Sequence, residues 1–269
     1  MLLSSGPFTA DDLSAFMDLA QAEGWICDQW EFAFLLREAA TTCRVCRDKQ
    51  SPRAFITGIR YDQDAWIGNL LVHPGFRRQG LGRRLMVEII ADLDSTKATR
   101  IWLTASAQGA ALYGELGFST VDRIERWVRT GSGTQHASPP AVDFELVRTL
   151  DAAAWGAPRT ALLREKCNLA QTWTDGNGYM VRHETESGIQ IGPWCGDNAS
   201  AEALLPLAMA GTAAKRIFLD VPAANTVASQ LLHSAGFNRQ GETLLMCRGK
   251  TLDYKSSSIF ALGSMGSIG

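Results

Sequence analysis

One pattern in this chain occurs twice, and it limits the fold more than any other feature. Ile101-Trp102-Leu103 precedes a segment ending in Leu116-Gly117-Phe118, and Ile217-Phe218-Leu219 precedes one ending in Ala235-Gly236-Phe237. The second copy is three residues longer between these marks. Each copy reads as a short apolar strand followed by a helix that a glycine stops through a left-handed cap. Ile189-Gln190-Ile191-Gly192-Pro193 likewise matches the strand and stop at residues 69–74. Between the copies, residues 131–141 read Gly-Ser-Gly-Thr-Gln-His-Ala-Ser-Pro-Pro-Ala, the composition of a linker. The expectation is two domains, at 1–130 and 142–269. Apolar residues make up 46% of the 269, enough for each half to bury a core.

The first half carries most of the local signals. Leu13, Phe16, Met17 and Ala20 share one face of a helix over 9–21, with Thr9 as its cap. A second helix is expected over 28–39. Strands are expected at 42–48, 53–61 and 65–72, the last nearly all apolar and so central to a sheet. A helix over 80–94 places Leu81, Leu85, Ile89 and Leu93 at four-residue spacing. Another strand follows at 100–105 and a helix at 108–116. Phe118 opens a strand, and 123–129 continues as a further one. In the second half a helix is expected over 199–210.

The chemistry concentrates at Arg77, Arg78, Gln79, Gly80, Leu81 and Gly82, between the apolar strand and the helix start. The first N–H groups of a helix have no internal partner, and the helix dipole adds partial positive charge there. Gly80 and Gly82 leave room for a phosphate to approach the backbone, and Arg77, Arg78, Arg83 and Arg84 surround the site with cationic donors. The arrangement fits a pyrophosphate. It lacks the Gly-Lys-Ser/Thr of a nucleotide triphosphatase, and Leu85 replaces the third glycine of a dinucleotide fingerprint. The second half has no such loop, so one cofactor per chain is expected.

Other classes lack support. The net charge of −2 does not suggest nucleic acid or an anionic surface. No apolar run approaches the ~20 residues that span a bilayer. The first seven residues lack the form of a signal peptide, so a cytoplasmic protein is expected. Cys43 and Cys46 form one Cys-x-x-Cys without a second pair, which fits a strand with two semi-buried thiols better than zinc.

The spacing Arg-x-x-Gly-x-Gly after Leu71-Val72-His73-Pro74 resembles the signature of the GCN5-related N-acetyltransferase (GNAT) superfamily. Leu112-Tyr113-Gly114-Glu115-Leu116-Gly117-Phe118 resembles its second hallmark. Across nearly the full length, with Ala22-Glu23-Gly24-Trp25, Gly192-Pro193, Phe218 through Pro222 and Gly236-Phe237, the chain resembles tandem YitH-like acetyltransferases. The resemblance implies an α/β (α+β) fold of two GNAT-like domains, each a twisted mixed sheet flanked by helices, the second divergent. It implies acetyl-CoA as co-substrate, no metal, and acetyl transfer to a primary amine by direct attack in a ternary complex. By the same resemblance, the backbone of Leu70, Leu71 and Val72 holds the pantetheine arm, Arg77 through Arg83 hold the pyrophosphate, and Tyr113 protonates the departing thiolate. Ser106 stands where many members carry Asn.

Trp25, Trp30, Glu31 and Phe32 could line an acceptor pocket, because the first helices border it in that group, although aromatics at helical spacing also fit a core. Asp220 at a strand end could anchor an amine or cap a helix. A non-catalytic CoA-thioester sensor remains an alternative, and the chain could be a monomer or a homodimer with a small-molecule acceptor.

Overall fold

A computed structural model describes residues 3–132, 139, 141–251 and 253–269. Much of the expected linker, 133–138 and 140, lies outside the described residues. The first half runs β1 (Leu3–Pro7), α1 (Leu13–Ala22), α2 (Gln29–Glu38), β2 (Arg44–Asp48), β3 (Ser51–Tyr61), β4 (Asp64–Val72), α3 (Leu81–Ser95), β5 (Arg100–Ala105), α4 (Ala107–Glu115) and β6 (Ser119–Thr130). The second runs α5 (Phe144–Trp155), α6 (Thr160–Leu169), β7 (Gln171–Thr174), β8 (Gly178–Thr185), β9 (Gly188–Gly196), α7 (Asn198–Met209), β10 (Arg216–Pro222), α8 (Thr226–Ser234), β11 (Asn238–Arg248) and β12 (Ile259–Ala261).

Each half contributes a mixed sheet. Antiparallel hairpins lead into one parallel pair, β4 with β5 in the first half and β9 with β10 in the second. The halves then join edge to edge into a continuous sheet of order β1-β2-β3-β4-β5-β11-β6-β10-β9-β8-β7, with β12 on β9. The join exchanges strands. β11, late in the second half, pairs antiparallel with β5, and β6, the end of the first half, pairs antiparallel with β10. Helix α3 packs the buried Leu81, Leu85, Met86, Ile89 and Leu93 against one face of the first sheet. On the opposite face Phe8, Phe16, Phe32 and Phe55 form an aromatic core with ring centroids 4.6–6.0 Å apart. The helices of the second half pack in the same way.

Several expectations change. β1 was not foreseen, because Leu-Ser-Ser-Gly-Pro has no β-branched residue; only its pairing with β2 makes it a strand. The two strands expected after Phe118 are one, laddered to β11 from Ser119 to Val128. The strand at Gly192-Pro193 does not stop there. It runs on to Gly196, and a register shift against β8 absorbs the proline. Cys43 and Cys46 are fully buried rather than semi-buried, and burial raises both thiols, Cys43 to about 11.

Candidate functional site

The site begins where two strands part. β4 pairs with β5 only at Asp64–Trp66, opposite Arg100, Ile101 and Trp102. Beyond that point the β5-facing edge of Leu70, Leu71 and Val72 carries no ladder, while β3 still pairs the other edge. A bulge against β3 accompanies the split, with Asn69 at φ 55°. The Asn69 amide donates to Thr57 Oγ1 at 3.1 Å and to Glu31 Oε1 at 3.3 Å. Leu70 and Val72 stay half-buried beside the opening, and Leu71 points into the core.

The chain after β4 turns sharply. His73 Nδ1 accepts the Gly75 N–H at 3.2 Å, and a single 3-10 turn spans Pro74–Phe76. Arg78 and Gly80 both sit at positive φ, 60° and 80°, and Gly80 is the N-cap of α3 with no side chain to close it. The first bond of the helix runs from Arg84 N–H to Gly80 O at 2.9 Å. The N–H groups of Leu81, Gly82 and Arg83 therefore precede any internal partner and aim outward. A Cβ on Gly80 would meet nothing within 4 Å, and one on Gly82 would sit 3.8 Å from Leu70 and Val72. A side chain at either position would fill the space where an anion could reach those amides.

The arginines divide the work. Arg77 donates from Nε to Val72 O at 3.0 Å and pairs with Glu23, so it braces the loop against the end of α1. Arg83 pairs with Glu115 of α4. Arg84 turns away, to Glu88 at 2.9 Å and Leu3 O at 3.0 Å. Gln79 donates to Gly75 O at 3.2 Å. Arg78 lines the groove beside Gly80. This groove is a cavity of about 740 Å³ that runs from the arginine loop past Leu70–Val72 to Ser106 and Tyr113.

Tyr113 closes the far end of the groove from α4. Ser106 caps that helix by accepting the Gly109 N–H at 3.3 Å. Burial pushes the Tyr113 phenol up to about 12, so it is protonated at neutral pH and can act as a proton donor.

A second cavity of about 270 Å³ adjoins the first, and both are lined by Trp25, Leu70, Ser106 and Tyr113. Among its lining residues only Glu31 and Arg126 carry charge. Glu31 is buried on α2. Burial raises its carboxyl above the usual range, opposed by hydrogen bonds from Ser267 and Asn69. Arg126 of β6 directs Nε and Nη2 onto the two oxygens of Asp220, each at 2.8 Å. Asp220 lies directly opposite Arg126 in the β10–β6 ladder and reaches the cavity only through it.

The expected residues thus fall into two places. The arginine loop, Leu70–Val72 and Tyr113 share the groove, apart from Gln79, which faces Gly75. Glu31 reaches the second cavity, Trp25 lines both, and Asp220 lines neither. Sequence reasoning missed Asn69, Arg126, Thr243 and the tail residues Met265, Gly266 and Ser267, all of which line that cavity. The tail is held by its backbone: Gly266 O accepts from Trp66 Nε1 at 3.2 Å and Thr104 Oγ1 at 2.9 Å, and Ile268 O from the Tyr61 hydroxyl at 3.0 Å. Gly263, Ser264, Gly266 and Ser267, small residues on either side of Met265, were the one available sign of a closely fitted segment. Among the described residues no group of three or more His, Cys, Asp or Glu could hold a metal ion. Nor is any helix among them long and apolar enough to cross a membrane.

The chain resembles known proteins in both halves. Residues 8–118 match the acetyltransferase (GNAT) family, and residues 147–261 match an acetyltransferase (GNAT) domain. YitH of Bacillus subtilis, described as an uncharacterized N-acetyltransferase, is 24% identical over 217 residues, which cover 73% of this chain and 74% of YitH. The ribosomal protein bS18-alanine N-acetyltransferase of Salmonella typhimurium is 34% identical over 85 residues, 30% of this chain and 57% of that enzyme. In fold, a proposed acetyltransferase from Pyrococcus horikoshii superposes with a TM-score of 0.83 at 20% identity, covering 98% of this chain and 95% of that one. A GCN5-related N-acetyltransferase from Sphaerobacter thermophilus follows at 0.65 and 17% identity, covering 93% and 98%. With both halves matched and the repeated pattern folded twice into the same unit, the chain belongs to the GNAT family of acetyltransferases and carries two domains of its fold.

Proposed function

We propose that the protein transfers an acetyl group from acetyl-CoA to the primary amine of a small molecule, by direct attack with both substrates bound. The observation that carries this reading is the meeting of the two cavities at Leu70 and Tyr113. One has the length and the open helix start suited to CoA, and the other is small and contains a buried carboxylate.

The N–H groups of Leu81, Gly82 and Arg83, with Arg78 beside them, hold the diphosphate of CoA. Arg77 and Gln79 keep the loop in shape. The unpaired edge of Leu70, Leu71 and Val72 accepts the pantetheine amides as an added strand would. That places the thioester at the split, where a strand N–H such as that of Val72 polarises its carbonyl. Glu31, with its raised carboxyl, takes the proton of the acceptor amine directly or through water. The amine nitrogen bonds to the acetyl carbon, the carbon–sulfur bond breaks, and Tyr113 gives its proton to the leaving thiolate. The phenol is suited to this because burial keeps it protonated at neutral pH, so its proton is in place when the thiolate departs.

The resemblance to YitH supports placing the chain with tandem acetyltransferases. In this reading residues 1–130 bind the donor and 142–269 complete the acceptor side through β11 and the tail. The test is incubation with acetyl-CoA and a broad amine panel while free thiol is followed. Amine-dependent thiol release that falls in Tyr113→Phe is expected. No release with any amine would overturn the proposal.

A further inference from the structure

We infer that the acceptor is a zwitterion: a small amine that also carries a carboxylate, with the amine at Glu31 and the carboxylate at Arg126. This rests on the acetyltransfer reading above and adds the class of acceptor. The second cavity holds one acidic and one basic side chain, with the hydroxyl and amide groups of Asn69, Thr104, Thr243 and Ser267 between apolar walls. At about 270 Å³ it is slightly below the roughly 300–1,000 Å³ of typical ligand pockets, a size for a small molecule and not for a folded protein surface.

Arg126 is prepared for an anion. Two of its nitrogens are fixed on Asp220, whose side chain is 5% exposed, while the Arg126 side chain is 30% exposed and lines the cavity. Its third nitrogen, Nη1, has no hydrogen-bond partner among the described residues. Asp220 thus holds the guanidinium plane still and leaves Nη1 free to donate to a carboxylate in the cavity that Arg126 lines. The pair also needs the strand exchange, because Arg126 is on the last strand of the first half and Asp220 is on β10 of the second. In this arrangement Asp220 is a positioning residue that acts through Arg126.

A matched series tests the idea: an α-amino acid, its amide, and the amine left when the carboxyl is removed, across several side chains. Turnover is read by free thiol, and binding to the CoA-loaded protein by calorimetry. The amino acid is expected to exceed the other two by at least tenfold in kcat/KM or in affinity. In Arg126→Met that preference falls to parity while affinity for CoA stays as in the unaltered protein. Arg126→Lys, which keeps the charge and loses the fork, retains part of the preference, as does Asp220→Asn. Equal or better turnover and binding of ligands without a carboxylate overturns the inference, and acetyl transfer to those amines leaves the acetyltransferase reading intact. Carboxylate-dependent binding without any transfer supports the pocket assignment and rejects the reading on which it rests.

Discussion

The two halves of this protein agree down to single hydrogen bonds, and they differ at the few atoms that would bind a substrate. Helices α4 and α8 have nine residues each. Both begin with a polar cap, Ser106 and Asn225, that accepts the N–H three residues on. Both end in a glycine at positive φ, and Phe118 and Phe237 each donate a 3.0 Å bond back to the residue five before. At that residue the first half has Tyr113 and the second has Leu232, fully buried. The helix after the central strand differs in the same sense. α3 starts at Gly80 with no capping side chain, whereas α7 starts at Asp197, whose carboxylate accepts the Ser200 N–H at 2.8 Å. Where the first half has an open helix start and a phenol, the second has a carboxylate cap and a hydrocarbon. In the proposed function the shared scaffold supports different roles, with the chemistry set by what stands at these two positions.

Exchanging those positions should break the contrast. The largest effect is expected from Tyr113→Phe, which makes the first half resemble the second at the proton donor. Turnover should fall by roughly 100-fold, the low end of what a positioned acid contributes, with CoA affinity little changed. Steady-state kinetics beside calorimetry would show whether the loss is in kcat. Gly80→Asp places the carboxylate of α7's cap at the start of α3, on a residue held at φ 80° where Asp197 is extended at φ −87°, so it adds the charge without the cap geometry. Its negative charge at the helix start would repel the diphosphate, so the Kd for CoA should rise about 50-fold, or ~2.3 kcal/mol.

Acidity offers a smaller lever. Burial raises the Glu31 carboxyl, so its base form, and activity with it, is lost as pH falls through a value above the ordinary ~4.3. Glu31→Gln should lower the rate around neutrality and remove that acidic limb from the pH–rate profile. If the limb persists, the base is elsewhere. The smallest effect is expected from the reverse exchange. Asp197→Gly opens the start of α7 yet should create no CoA site, because no arginine flanks it, and thermal unfolding should show a loss of only about a few tenths of a kcal/mol.

The groove proposed for the donor was legible because its signals are local. A strand, a turn, two glycines and a helix start lie within residues 65–85, and spacing alone places them on one surface. Tyr113 was legible through its motif. The second cavity, proposed for the acceptor, was not, because it is assembled from distant pieces. Arg126 looks like any charged residue on an alternating strand, and nothing nearby in sequence indicates that β10 will present Asp220 to it. Strand alternation specifies which face a side chain takes and is silent on which strand lies alongside, so the insertion of β11 between β5 and β6 was equally hidden. The tail was the largest omission. Gly68 has to be glycine because a Cβ there would come within 2.7 Å of Ser267 Cα, a constraint set by a segment almost 200 residues away. The stop read at Gly192-Pro193 failed for a related reason: proline ends an isolated strand, while a bulge within a sheet accommodates it.

The claim that one half binds the donor and the other has closed its site is tested most directly by the stoichiometry of CoA binding. Titration calorimetry of the full chain should give one CoA per polypeptide, with Gly80→Asp weakening that single event. Two equivalents, or one that survives unchanged in Gly80→Asp, would contradict the account.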